Sequence, residues 1–165
     1  MKKIFCIVFS FILIFISGCN KKSSDVTAVT TGLSFTAKIN HNDILTVYDV
    51  IINDNGDLTL TTISGNNEGL IINFRDNKAI LNFNGLTCET DISSLPEGII
   101  ADFLYSIFQN AENTPVYLED EEYYISGETA QYQYKIHLSK MGLPIKIEDN
   151  KNNISVIIKN VSIIE

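Results

Sequence analysis

The sequence predicts an α+β domain in which a long, curved antiparallel β-sheet holds one main amphipathic helix in its concavity. Three observations lead there. Turn-forming clusters cut the chain about every ten residues from Leu33 onward, β-branched and aromatic runs fill the intervals, and one segment after Ser94 changes to a helical period. Hydrophobic residues make up 45% of the chain, too many for a disordered polymer, and 165 residues suit one domain with its own core.

The turn signals are Asn40–Asp43, Asn53–Asp57, Ser64–Asn67, Arg75–Asn77, Asn84–Gly85, Ser126–Gly127, Lys140–Gly142 and Asp149–Asn153. Asn-Gly supplies the positive φ angles of a tight hairpin, so Asn55–Gly56 and Asn84–Gly85 are the strongest hairpin signals. Strands are predicted at 33–39, 44–52, 58–63, 69–74, 78–83, 123–126, 130–138, 144–148, 154–159 and 161–164. Alternation assigns faces. Phe35, Ala37 and Ile39 oppose Ser34, Thr36, Lys38 and Asn40, and Tyr132, Tyr134, Ile136 and Leu138 oppose Gln131, Gln133, Lys135 and His137. Ile145 and Ile147 are expected on the buried face, as are Ile154, Val156 and Ile158. Short connections imply that sequential strands pair antiparallel.

Ser94-Leu95-Pro96-Glu97 has the form of a capping box, with Ser94 as N-cap and Glu97 at the third helical position. Ile99, Ile100, Phe103, Leu104, Ile107 and Phe108 then form one apolar stripe, ending near Asn110 or Ala111 and leaving Asp102, Ser106 and Gln109 outside it. Six large apolar residues on one helix face must cover something, and the buried face of the sheet is the candidate.

The N-terminus reads as an address. Lys2 and Lys3 precede an uncharged apolar run, Ile4–Ile16, which as a helix rises only about 20 Å, short of a hydrocarbon core of about 30 Å. It is a signal-peptide pattern. Ile16-Ser17-Gly18-Cys19 resembles the bacterial lipobox, in which the cysteine is diacylated and becomes the new N-terminus; the alternative is an ordinary secretory signal with an incidental cysteine. Residues 1–18 are thus expected to be a lipoprotein signal peptide, 19–31 a lipidated flexible tether, and 32–165 a single β-rich domain. Two acyl chains anchor stably, where one is marginal. The expected location is the extracytoplasmic face of a bacterial cell membrane, held through an N-terminal diacylglycerol, with palmitate-type acyl groups.

Twenty acidic against 12 basic residues give a net charge of −8, which becomes −10 when Lys2 and Lys3 leave with the signal. That balance argues against nucleic acid and against electrostatic adhesion to anionic lipid. Once Cys6 is removed and Cys19 lipidated, Cys88 is the one thiol left, expected as a small buried hydrophobe and not a nucleophile.

Catalytic chemistry is not signalled. There is no G-x-S-x-G elbow and no phosphate-binding glycine loop, and His41 and His137 have no partner at metal-ligand spacing, so no catalytic residue, metal or cofactor is expected. Glu119-Asp120-Glu121-Glu122 and Asn53–Asp57 both look calcium-like, but the first reads better as a solvated loop and the second as a hairpin tip. Tyr105, Tyr117, Tyr123, Tyr124, Tyr132 and Tyr134 suit core packing with wet hydroxyls, or the lining of a groove.

The lipobox, some six strands, a helical insertion and a last group of strands together resemble the LolA/LolB-like lipoprotein-carrier fold. Its detail is best in Tyr132–Leu138, Gly142-Leu143-Pro144-Ile145-Lys146-Ile147-Glu148 and Ile154–Asn160. The resemblance implies a half-barrel whose helix closes an apolar cavity for acyl chains. It also brings in a related group of carrier-fold lipoproteins that assist spore germination by binding a cortex-modifying enzyme. The carriers' controlling arginine lies on an early strand, whereas the single arginine here, Arg75, falls in a turn.

Two functions are therefore expected. The first is binding of an apolar ligand (a lipid, acyl chain or lipopeptide) between sheet and helix, lined by Phe35, Ile39, Phe103, Leu104, Ile107, Tyr134 and Ile136. Burying a few hundred Å² of acyl chain at about 25 cal/mol per Å² supplies several kcal/mol without any charged site. The alternative is a non-catalytic module with a filled core that docks an envelope or spore-cortex enzyme.

Overall fold

Four tight turns set the strand register. Asn42–Asp43, Asp76–Asn77, Asn84–Gly85 and Asp120–Glu121 each hold both central residues at positive φ, the hand that matches the twist of paired strands. Asn55–Gly56 is instead part of a longer loop: Gly56 N–H donates to the Asn53 carbonyl, and Gly56 alone of the pair has positive φ. The structure, a computed structural model, describes residues 22–65, 67–95 and 100–164. The expected signal peptide, Cys19, and Pro96 and Glu97 of the capping box lie outside the described residues.

The strands are β1 (Lys22–Ser23), β2 (Leu33–His41), β3 (Ile44–Ile52), β4 (Leu58–Ser64), β5 (Ile71–Arg75), β6 (Lys78–Phe83), β7 (Leu86–Asp91), β8 (Tyr117–Glu119), β9 (Glu122–Glu128), β10 (Gln133–Leu138), β11 (Pro144–Asp149) and β12 (Ile154–Ile163). They form one antiparallel sheet in the order β1-β8-β9-β10-β11-β12-β2-β3-β4-β5-β6-β7. The helix α1 spans Ile100–Ala111 and buries Ala101, Phe103, Leu104, Ile107, Phe108 and Ala111. The fold is thus α+β, an open antiparallel sheet with one α-helix among the described residues.

The sheet curves, and aromatic contacts show it. Phe103 of α1 meets Tyr132, just before β10, edge-on at 5.0 Å, while Tyr105 of the same helix stacks on Phe74 of β5 at 4.9 Å. Six inter-strand spacings separate β10 from β5, about 29 Å if flat, yet a helix is only about 10–12 Å across. One helix reaches both strands because the sheet bends around it. Leu33, Phe35, Ala37 and Ile39 are buried beneath it, as the alternation of β2 predicts.

Several expectations are corrected. Ser94 lies in a 3₁₀ turn, Ile92–Ser94, closed by Leu95 N–H on the Ile92 carbonyl, with Leu95 extended (ψ 142°); it does not open α1. The runs 154–159 and 161–164 are one strand, bent where Asn160 takes φ 54° and the register with β2 shifts. Ile145 is exposed and not buried, because a bulge after His137 sets Leu138 opposite Pro144. The strand expected from 130 begins at Gln133, since Thr129 gathers the preceding turn: its hydroxyl accepts from Gln131 and Tyr132 N–H, and its own N–H donates to the Tyr132 carbonyl. Cys88 is exposed, because β7 is an edge strand of the sheet with almost every residue open to solvent. β7 and β8 were not anticipated.

Residues 22–31, expected as a tether, are laid along the domain. Lys22 and Ser23 pair with Leu118 and Tyr117, Ser24 N–H donates to the Val116 carbonyl, and Val29 N–H donates to the Gly142 carbonyl. Val26, Ala28 and Val29 pack on the core and Thr30 is buried. Gly142 makes this possible: a Cβ there would run into the Thr27 carbonyl, and its φ of 78° is the left-handed value that glycine adopts freely.

Gly127 faces Tyr134 across the β9–β10 pair, and a Cβ would collide with the phenol ring. Gly127→Ala is therefore expected to destabilise by about 1–3 kcal/mol, read as a lower urea midpoint at unchanged slope.

Candidate functional site

The seven predicted lining residues come together in the buried apolar core. Phe35 and Ile39 come from β2, Phe103, Leu104 and Ile107 from α1, and Tyr134 and Ile136 from β10. All belong to one apolar cluster and none is more than 4% exposed. Alternation on the strands and the helical stripe aim them at one another, and Phe35 meets Phe108 at 5.7 Å. None of the five clefts at His41–Ile154, Ile92–Tyr132, Asn53–Ile80, Glu121–Ile145 and Ser23–Tyr123 is lined by any of them.

The seam between helix and sheet is apolar along its length, and two side-chain hydrogen bonds fasten its ends. Near the start of α1 the Tyr132 hydroxyl donates to Asp102 Oδ2 at 3.0 Å, with Ser106 Oγ donating to Oδ1 of the same carboxylate at 3.3 Å. Near its end Gln109 Nε2 donates to the Gly56 carbonyl at 2.7 Å. Burial and the neighbouring Asp102 push the Tyr132 phenol well above its ordinary value, so it stays a neutral donor. Burial also raises Tyr134, partly offset by a hydrogen bond with Thr114.

Two clefts flank Tyr132. One, of about 470 Å³, is lined by His41, Asn42, Ala130, Gln131, Tyr132, Asn152 and Ile154. The other, of about 280 Å³, adds Ile92, Ser93, Leu95, Asp102, Ser106 and Thr129 to the shared wall of Ala130, Gln131 and Tyr132. The wall is tied down by Asp149, 1% exposed, whose carboxylate accepts from Lys151 N–H, Asn152 N–H and Asn152 Nδ2; that same amide nitrogen also donates to the Gln131 carbonyl. Apart from Tyr132, expected in the core or a groove, these residues were not singled out as a site. They come from turns, strand ends and α1 brought together by topology, and the local signals were the Asn40–Asp43 and Asp149–Asn153 turn clusters.

On the outer face His137 bridges two carboxylates, with Nε2 2.8 Å from Glu148 and Nδ1 3.5 Å from Glu122, and Lys146 Nζ lies 2.6 Å from the second oxygen of Glu148. Among the described residues no cluster of His, Cys, Asp and Glu suits a metal ion. Glu119–Glu122 forms the β8–β9 hairpin, where Glu119 accepts from the Tyr124 hydroxyl at 3.1 Å.

The hydrogen bond from the Lys146 ammonium holds the Glu148 carboxyl below its usual range against the opposing effect of burial, and His137 adds a further lowering. A depressed folded value means that the ionised form stabilises the fold above the unfolded value, about 4.3, and that this contribution is lost as pH falls through the folded one. Glu148→Gln is thus expected to lower the melting temperature at pH 7 and to match the parent below about pH 3, in melts followed from pH 7 to 2.5.

Among the described residues no helix is long and apolar enough to cross a membrane. Comparison of the chain with protein-family models and with curated proteins finds no match.

Proposed function

We propose that this protein is a membrane-anchored lipoprotein of the bacterial cell surface, lipidated at Cys19, whose curved sheet works as a LolA/LolB-like half-barrel. In this reading it binds an apolar ligand, a lipid, acyl chain or lipopeptide, between sheet and helix without catalysing a reaction on it. The observation that carries it is the seam under α1: apolar along its length, with polar fastenings at Asp102–Tyr132 and Gln109–Gly56. Ligand entry requires α1 to lift from these two points, and the acyl chain then replaces Phe103, Leu104 and Ile107 against Phe35, Ile39, Tyr134 and Ile136.

A second reading is favoured by the near-complete burial of those seven residues. Here the core is permanently filled and the domain docks an envelope or spore-cortex enzyme through its surface.

Native mass spectrometry of residues 20–165, purified without detergent and then offered palmitate or phosphatidylglycerol, separates the two. Retained or acquired lipid mass, lost when Phe103 is replaced by a charged residue in a variant that still melts cooperatively, is the result expected. An apo mass that takes up neither lipid removes the cavity and leaves the docking module.

A further inference from the structure

The anchor leaves the domain no slack, and that fixes which end faces the membrane. β1 begins at Lys22, three residues after Cys19. Three residues span at most about 11 Å, whatever their conformation. From there the chain is fastened repeatedly: Ser23 opposite Tyr117, Ser24 on the Val116 carbonyl, Val29 on the Gly142 carbonyl, and Ile164 N–H on the Gly32 carbonyl. The reach of the lipid is thus set by those three residues and not by a loose linker running to Thr31.

The direction follows from register. β1 runs antiparallel to β8, Lys22 opposite Leu118, so the chain before Lys22 leaves toward the Asp120–Glu121 turn. Tyr123 of β9 pairs with Leu138 of β10, which puts the Ser139–Leu143 turn at the same end. Lys140 and Met141 are exposed there, Met141 at 77%. The cleft residues Asn42, Gln131 and Asn152 lie on turns at the other end of their strands, about 20 Å away for the six residues of β10.

We propose that the end carrying the Asp120–Glu121 and Ser139–Leu143 turns is held against the bilayer surface, with Lys140 and Met141 at headgroup level, and that the clefts beside Tyr132 open away from the membrane. The occupant of this surface is the lipid headgroup layer. The contact is imposed by the covalent anchor and not by charge, because Glu119, Asp120, Glu121 and Glu122 crowd the same end and anionic headgroups repel them. The inference rests on lipidation at Cys19.

The test uses the lipidated full protein in phosphatidylcholine–phosphatidylglycerol vesicles, in a Cys88→Ser background, with one fluorophore at Met141→Cys or at Lys151→Cys. Lys151 lies in the turn at the cleft end. Nitroxide lipids spin-labelled at the headgroup are expected to quench the label at 141 severalfold more than the label at 151. Inserting ten Gly/Ser residues between Asn20 and Lys21 is expected to abolish that difference. Equal quenching in the uninserted protein overturns the orientation, and a difference that survives the insertion overturns the short reach as its cause. Intact mass is read first. An unmodified Cys19 removes the lipoprotein reading and this inference with it, whereas a diacylated Cys19 with equal quenching removes this inference alone.

Discussion

Phe103→Ala is expected to cost about 3–5 kcal/mol of unfolding free energy. Phe103 is fully buried, packs edge-on against Tyr132, and belongs to the cluster that joins α1 to β2 and β10. Removing its ring leaves a void that the sheet closes only by bending further, and native density forbids a cheap collapse. A domain of this size has about 5–15 kcal/mol in all, so the variant sits near the limit of folding at 37 °C. Urea titration of residues 20–165 measures it. The number measures the unliganded packing that both readings share, because in the ligand-binding reading Phe103 is displaced only once α1 has lifted.

Asp149→Ala is expected to cost about 2–4 kcal/mol, through polar groups and not volume. The carboxylate receives three donors, Lys151 N–H, Asn152 N–H and Asn152 Nδ2, in a place almost closed to water. Alanine takes the acceptor from all three at once, leaving Asn152 Nδ2 with the Gln131 carbonyl alone. Asp149→Asn keeps one acceptor for the backbone donors but turns an amide toward Asn152, so about half the loss is expected. Thermal melts of the pair check both the size and the order. Because Asn152 Nδ2 also holds the Gln131 carbonyl, the alanine variant is further expected to speed amide hydrogen exchange in the turn from Thr129 to Tyr132.

The fold was legible wherever burial repeats with a period. β2 and β10 carry apolar residues at every second position, α1 carries Phe103, Leu104, Ile107 and Phe108 on one face, and the structure buries those positions. β7 carries no such record. Leu86–Asp91 is exposed apart from Thr90, so alternation had nothing to mark, and Lys78 paired with Glu89 across the strands is a signal only once the register is known. β8 is three residues long, too short for any period.

The docked segment at 22–31 failed to show for a different reason. Its small and polar side chains say nothing, while its binding is encoded in its partner, in the absence of a Cβ at Gly142. As for the candidate site, Phe35, Ile39, Phe103, Leu104, Ile107, Tyr134 and Ile136 were legible as one apolar assembly, because hydrophobic periodicity reports burial. Periodicity does not distinguish a core from a lined cavity, since both ask for the same residue types. The cleft residues His41, Gln131 and Asn152 come from the end of β2 and two separate turns, and only the pairing of β12 with β2 brings His41 opposite Ile154.

That pairing has a consequence for how the chain acquires its shape. β2 and β12 are neighbours in the middle of the sheet, joining residues 33–41 to 154–163. The two sequence-local halves, β3 to β7 and β8 to β11, assemble as hairpins on their own schedule, but the seam between them waits for the last dozen residues. Contacts so distant in sequence make for slow completion. A chain emerging N-terminus first thus has only the 22–31 segment and α1 to bridge its two wings until β12 closes the sheet between them. The time spent waiting is the interval in which proteases and neighbouring chains find it.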